Sequence, residues 1–196
     1  MNTTCILMIS TVLFIYYVGY KYSLNYKIIK LFITAYHFGY IKPKYLYNSL
    51  DLSKSIQQGC IMLLKNANIN IKLHGYPYKT KSILYIANHQ TYIDPIIIKA
   101  ILPNINAIAK YDANKELFFS KIGAKIMENY GTILYKKTDK NSGNIARKLI
   151  VDTILKKKKS VLIFPEGTTN NSFYDFKTFF PGSFEEAKLN NIKIQP

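Results

Sequence analysis

Short apolar runs alternate with longer stretches of helical spacing through the C-terminal two thirds of this chain. Residues 69–73, 82–87, 105–109, 132–135, 160–164 and 192–195 are β-rich runs, too short for helices and rich in Ile, Val, Leu and Tyr. Between them lie 95–102, 115–129 and 144–159, where apolar residues recur at near-helical intervals; Ile145, Leu149, Ile150 and Ile154 mark the last. That helix is predicted to finish in Lys156, Lys157, Lys158 and Lys159, whose charges would complement the negative end of the helix dipole. Strands alternating with helices predict an α/β domain: a central, mostly parallel or mixed sheet flanked by helices.

The N-terminal third reads differently. Residues 5–20 carry no charge, and Tyr16, Tyr17 and Tyr20 resemble an interfacial aromatic belt. The run is slightly short of the roughly 20 residues that span hydrocarbon, and Thr3 and Thr4 extend it. A cleaved signal peptide would want a basic leader and a small-residue cleavage site, neither of which is present. A buried core helix is the other alternative. Lys21, Lys27 and Lys30 follow directly, so the positive-inside rule predicts a single-pass N-terminal anchor with the rest of the chain on the cytoplasmic side. Residues 24–41 mix apolar and basic positions as an interfacial amphipathic helix does, and 45–66 predict one further helix. The expected organisation is therefore a membrane-anchoring helical segment over 1–66 and a second domain over 67–196.

Charge sharpens this picture. The chain has a formal net charge of +16, carried almost entirely by lysine, with Arg147 its single arginine. Planar readout of bases and bidentate phosphate clamps favour Arg, so a nucleic-acid partner is not expected. A lysine field suits an anionic bilayer or a phosphorylated small molecule. Up to Gly75 the sole acidic residue is Asp51, as befits a segment lying on anionic lipid. Cys5 and Cys60 cannot form a disulfide framework, and His37, His74 and His89 lack the spacing and companions of a metal site, so no metal is indicated.

Two clusters carry chemistry. The apolar run 82–87 leads straight into Asn88, His89 and, five positions later, Asp94 and Pro95. His89 thus falls just past the carboxyl end of a strand, where open α/β sheets place ligands. On a straight helix residues five apart would sit about 140° from one another. They meet only if a turn intervenes before the helix begins, and Asp-Pro predicts an N-cap and first helical residue there. A carboxylate on one imidazole nitrogen fixes the tautomer and leaves the other nitrogen free to take a proton. Spacing alone leaves open that Asp94 only caps a helix and that His89 is an ordinary loop residue. The second cluster, Pro165, Glu166, Gly167, Thr168 and Thr169, ends the run 160–164 in a turn whose successive N–H groups can hold an anion. A plain strand-ending turn is the alternative.

Taken together, about 77 residues apart and in this order, the clusters resemble those of the glycerolipid acyltransferase family, of which 1-acylglycerol-3-phosphate acyltransferase is typical. Asn88, His89 and Asp94 match its N-H-x4-D motif, and Phe164, Pro165, Glu166, Gly167 and Thr168 match its Phe-Pro-Glu-Gly-Thr motif. Ala109, Lys110, Gly123, Gly131, Thr132 and Ile133 follow its middle block, while Phe179, Gly182 and Phe184 follow a later one. The resemblance covers roughly 69–196. It implies that His89 is the general base that deprotonates an acceptor hydroxyl and that Asp94 orients it. It further implies that Glu166, Gly167 and Thr168 bind the acceptor's glycerol-phosphate part and that Lys110 faces phosphate or the developing oxyanion.

The implied activity is transfer of a fatty acyl group from acyl-CoA or acyl-carrier protein, as substrates with no cofactor, to the hydroxyl of 1-acylglycerol-3-phosphate in phospholipid biosynthesis. The departures from the pattern matter to the acceptor. Lys137 stands where the family has arginine, Thr169 where many members have arginine, and Phe180 where lysine is frequent. Lys137 would meet phosphate as a point charge without bidentate geometry. These keep another lysophospholipid, or glycerol-3-phosphate, open as acceptor. Family members continue beyond the position of Pro196 with a further strand and helix. A truncated gene, a fragment and a minimal enzyme therefore stay open, as does an inactive membrane-associated protein that retains the fold.

Overall fold

The computed structural model describes residues 17, 26–45, 49–77, 81–111, 118–136, 141–170, 172 and 174–196. Five strands form one sheet: β1 (Leu84–Ile86), β2 (Ile105–Tyr111), β3 (Thr132–Lys136), β4 (Ser160–Ile163) and β5 (Ile194–Gln195). Its order is β3-β2-β4-β1-β5, and every pairing is parallel. The alternatives of a mostly parallel or a mixed sheet thus resolve to a fully parallel one among the described residues. The α-helices bounded among the described residues are α1 (Tyr26–Tyr36), α2 (Ser49–Asn66), α3 (Asp94–Ile101), α4 (Phe118–Asn129), α5 (Ser142–Leu155) and α6 (Gly182–Leu189).

The inner strands β1 and β4 are buried on both faces, which is why they read as continuous apolar runs. The pleat divides their side chains between two cores. Leu84, Val161 and Ile163 pack with Ile150, Ile154, Ala187 and Ile192 under α5 and α6. Tyr85 and Leu162 point the other way, with Ile83 and Ile105, towards Ile98 and Leu102 at α3. A third layer lies beyond α3, where Ile56, Cys60 and Leu64 of α2 pack on Ala100. Hydrogen bonds lock that layer: Gln57 Nε2 donates to the Ala100 carbonyl at 2.8 Å, and Ser53 Oγ to that of Pro103 at 2.9 Å. The N-terminal helices are tied on as well, since Asn129 Nδ2 donates to the Gly39 carbonyl at 2.8 Å. A Cβ on Gly39 would lie 2.5 Å from the Tyr130 ring, so only glycine allows this approach.

The strand order creates a switch point. From β1 the chain crosses through α3 on one face to reach β2, whereas from β4 it crosses through α6 on the other face to reach β5. The loops after β1 and β4 leave adjacent strands in opposite directions, and the crevice between them is where open α/β sheets bind ligands.

Two expectations need correcting, and one helix went unpredicted. Residues 69–73 form no strand: Ile71 and Leu73 are exposed, and no strand pairs with them. Alternating apolar character without a neighbouring edge is not enough to make one. The lysine run 156–159 is not the last turn of a helix, because α5 ends at Leu155 and Lys158 turns with a positive φ of 54°. Lys156 instead pairs with Asp152 at 2.7 Å. The helix α6 was not foreseen from periodicity, being short and polar over most of its surface. The charge-free run 5–20 lies outside the described residues apart from Tyr17. Among the described residues no helix is long and apolar enough to cross a membrane.

One buried cation has a consequence for stability. Burial pushes the Lys99 ammonium down to about 8, against a smaller pull from Cys60, and Nζ donates to the Ile105 carbonyl at 2.5 Å. An unfolded lysine titrates near 10.4, so between about pH 8 and about pH 10.4 the unfolded chain binds more protons than the folded one. Stability from this group therefore rises with pH across that window. Denaturant titrations of the wild-type chain and Lys99→Met should show the wild type gaining relative to the variant over that range. A pH-independent difference would show that Lys99 is not desolvated.

Candidate active site

The end of β1 hands its backbone to the turn after β4. Ala87 N–H still donates to the Ile163 carbonyl at 3.2 Å, continuing the ladder. Two residues later, His89 N–H donates to Glu166 Oε1 at 2.8 Å, and the His89 carbonyl accepts from Asn170 N–H at 2.5 Å. The imidazole lies flat on Phe164, with ring centroids 4.0 Å apart and planes 16° from parallel. Its backbone and one ring face are thus fixed by residues 164–170.

The ring's direction is set by Asp94. His89 Nδ1 and Asp94 Oδ2 are 2.9 Å apart, with both side chains largely buried. The same Oδ2 accepts from the backbone N–H of Gln90 and of Thr91, each at 2.8 Å, while Thr91 Oγ1 donates to Oδ1 at 2.6 Å. The Asp94 carboxylate therefore closes the 89–94 turn onto itself. It is not the N-cap predicted above: helix α3 already includes Asp94, the capping position falls on Ile93, and the side chain reaches back to the preceding residues. The expected turn, with Pro95 in the first helical turn, is present.

Burial works against the charge on Asp94. The hydrogen bonds from Thr91, His89 and Gln90 outweigh it and hold the carboxyl below the usual carboxylate range. An ionised carboxylate can only accept, so Nδ1 of neutral His89 carries the proton and Nε2 presents its lone pair. That is a base oriented by a carboxylate, the arrangement general-base catalysis requires.

The second cluster divides in two. Glu166 is buried at 2% exposure, and its other oxygen, Oε2, accepts from Lys177 N–H at 3.2 Å. Gly167 and Thr168 are exposed at the tip of the turn. Gly167 adopts a φ of +66°, its N–H closes the turn on the Phe164 carbonyl at 2.9 Å, and the Phe180 ring lies over it. His89, Asp94, Glu166, Gly167 and Thr168 thus converge at the carboxyl ends of β1 and β4. Lys110 is exposed near the end of β2. The register that sets Ala107 beside Leu162 carries it level with Pro165, one strand away. Lys137 lies outside the described residues. Among the described residues no group of three or more His, Cys, Asp or Glu can hold a metal ion.

Sequence reasoning missed Asn170, which is buried and grips both sides of the site. Besides its backbone bond to His89, its Nδ2 donates to the Asp175 carbonyl at 2.5 Å. Its only signal was membership of a Thr-Asn-Asn-Ser stretch, the composition of any side-chain-stabilised turn.

Known proteins resemble this chain in sequence and in fold. The Acyltransferase family model matches residues 68–196. The 1-acyl-sn-glycerol-3-phosphate acyltransferase of Helicobacter pylori strain J99 is 28% identical over 145 residues, which cover 74% of this chain and 59% of that protein. The chain thus matches under two thirds of that relative's length. The crystal structure of the 1-acyl-sn-glycerophosphate (LPA) acyltransferase PlsC from Thermotoga maritima shares the fold. Its TM-score is 0.58 at 15% identity, covering 97% of this chain and 73% of that one.

Gly167 gives the turn a direct test. A left-handed conformation costs a residue with a Cβ about 1–2 kcal/mol. A Cβ there would also lie 3.1 Å from the Phe180 ring, whose exposed side chain can swing away. Gly167→Ala should lower stability by about 1 kcal/mol, and Gly167→Asn by less, since Asn tolerates that region better. Equal losses in denaturant titrations would assign the cost to Phe180 instead of the backbone.

Proposed function

The chain belongs to the acyltransferase family, and from that premise we propose that it moves a fatty acyl group from acyl-CoA or acyl-carrier protein to the free hydroxyl of 1-acylglycerol-3-phosphate. The observation that carries the reading is the His89–Asp94 contact at 2.9 Å beside the exposed turn at Gly167 and Thr168. His89 Nε2 takes the proton of the acceptor hydroxyl as its oxygen attacks the thioester carbonyl. The tetrahedral intermediate collapses, the C–S bond breaks, and the proton passes from the imidazolium to the departing thiolate. Acyl group, proton and thiol are all accounted for, with no covalent enzyme intermediate. Proximity and general-base catalysis are the two effects on which the rate relies.

The acceptor's phosphate is assigned to the exposed turn at Gly167 and Thr168, with Lys110 and Lys137 as point charges around it. The Gly167 N–H is held by the Phe164 carbonyl, so the Thr168 end of the turn and the lysine point charges would hold a mobile headgroup without arginine forks. We assign residues 5–20 to a membrane anchor that keeps the domain on the cytoplasmic face, where acceptor and product both reside in lipid. The lysine surplus then meets anionic headgroups.

One observation favours a second acceptor class. An apolar ring, Phe180, lies against Gly167, and Thr169 follows Thr168. That side offers the Phe180 ring and a single point charge, Lys177, whose Nζ donates to the Thr169 carbonyl, and no arginine fork, so another lysophospholipid, or glycerol-3-phosphate, competes with 1-acylglycerol-3-phosphate.

Acyl transfer from labelled acyl-CoA, and separately from acyl-carrier protein, by membranes containing the chain tests the reading. Acceptors should include lysophosphatidic acid, lysophosphatidylcholine, lysophosphatidylethanolamine and glycerol-3-phosphate. The expected outcome is transfer to lysophosphatidic acid, lowered about 10²–10⁴-fold in His89→Ala. Transfer to another of these acceptors alone would move the assignment to it. No transfer by folded wild type with either donor would support an inactive protein that retains the fold.

A further inference from the structure

Glu166 stands in the stretch expected to bind the acceptor, yet its carboxylate does not face the crevice. It is buried, and each oxygen already accepts a backbone hydrogen bond: Oε1 from His89 and Oε2 from Lys177. A carboxylate taken out of water is tolerable only when its oxygens are satisfied in this way. Displacing either N–H to bind a substrate hydroxyl would leave a buried donor unpaired, at a loss comparable with the bond gained. Asn170, four residues on, makes the parallel connection. Its N–H holds the His89 carbonyl, and its side-chain amide holds the Asp175 carbonyl.

Both residues therefore bridge the same two segments. On one side is the loop that carries His89. On the other is the strap 174–180, which Lys177 Nζ further secures to the Thr169 carbonyl at 2.7 Å. The strap continues into Phe180, whose N–H donates to the Pro165 carbonyl at 2.9 Å and whose ring covers Gly167.

We infer that Glu166 is a positioning residue and not an acceptor ligand: its carboxylate, with Asn170 beside it, sets the backbone of His89 against Phe164 and fixes the strap to the same point. Its action on the reaction runs through His89. Without the clamp the loop slackens, the Nδ1–Asp94 contact lengthens, and the imidazole is no longer held in one tautomer. The length of the side chain matters, because a single carboxylate must meet two N–H groups that belong to segments 88 positions apart in sequence. Aspartate keeps the charge but is one methylene too short for both. Glutamine keeps the length but offers an amide N–H to one of the two donors.

The test compares Glu166→Gln with wild type by two readouts, and only the kinetic one rests on the proposed acyl transfer. The chain has three histidines, so ¹⁵N-histidine labelling gives a sparse spectrum in which His89→Gln assigns His89 by loss of its signals. In wild type, neutral His89 should show Nδ1 protonated and Nε2 bare. In folded Glu166→Gln those signals should move towards the mixture of tautomers found in free imidazole. Kinetically, kcat should fall by about tenfold or more while the acceptor KM stays within about threefold. An acceptor KM raised about tenfold, with kcat and the His89 signals unchanged, would overturn the inference and make Glu166 a ligand. If wild type transfers no acyl group, the spectra decide alone: unchanged His89 signals in the variant overturn it. Should Glu166→Gln fail to fold, Glu166→Asp carries the same comparison, with the same two results read the same way.

Discussion

A parallel strand buried in a sheet can end only where its last backbone groups find other partners, and β1 finds them in the turn after β4. Ala87 closes the ladder, and His89 gives its N–H to Glu166 and its carbonyl to Asn170. The rest of the site follows from that transfer. Residues 77 apart in sequence become hydrogen-bonded neighbours because β1 and β4 are adjacent and parallel. Their loops diverge to opposite faces because α3 and α6 lie on opposite faces. The crevice is thus a consequence of strand order, and the imidazole is placed in it by backbone bonds before any side chain acts on the ring.

Asp94 then supplies what the backbone cannot. Four donors converge on it (His89 Nδ1, the N–H groups of Gln90 and Thr91, and the Thr91 hydroxyl), and it begins α3, so its carboxylate is rigid as well as charged. Hydrogen bonds outweigh the burial that would neutralise it. A loosely held carboxylate would orient the imidazole only part of the time. Phe164 closes one face of the ring with an apolar surface, so the free nitrogen opens in a single direction. Glu166 and Asp94 are both acidic, but they do different work: one grips the backbone of His89 and the other its ring.

Much of this was legible in the sequence. Strands β1 to β4 announced themselves because a parallel sheet flanked by helices draws on short, mainly apolar runs, and the sequence supplies them at 82–87, 105–109, 132–135 and 160–164. The need for a turn between His89 and Asp94 followed from helix geometry, and the turn is there. What failed depended on information that no local window holds. Residues 69–73 have strand character but no edge to pair with. The lysines 156–159 fall after the helix, since α5 stops four residues short of its expected end at 159. The inward direction of Glu166 and the role of Asn170 are set by backbone groups from a segment far away in sequence. Asp94 turned back on the loop, where four donors meet its carboxylate, while the Ile96 and Ile97 N–H groups at the start of its own helix donate to the Ile93 carbonyl.

The central claim is that His89 and Asp94 act as one unit, the carboxylate working solely through the imidazole. A double-mutant cycle in the acyl-transfer assay, with His89→Ala, Asp94→Asn and both together, tests it most directly. If the pair is one unit, Asp94→Asn alone lowers kcat by about a hundredfold or more, and adding it to His89→Ala lowers the rate no further. Losses that add on the logarithmic scale would contradict this account, because Asp94 would then serve the reaction by a route that does not pass through His89.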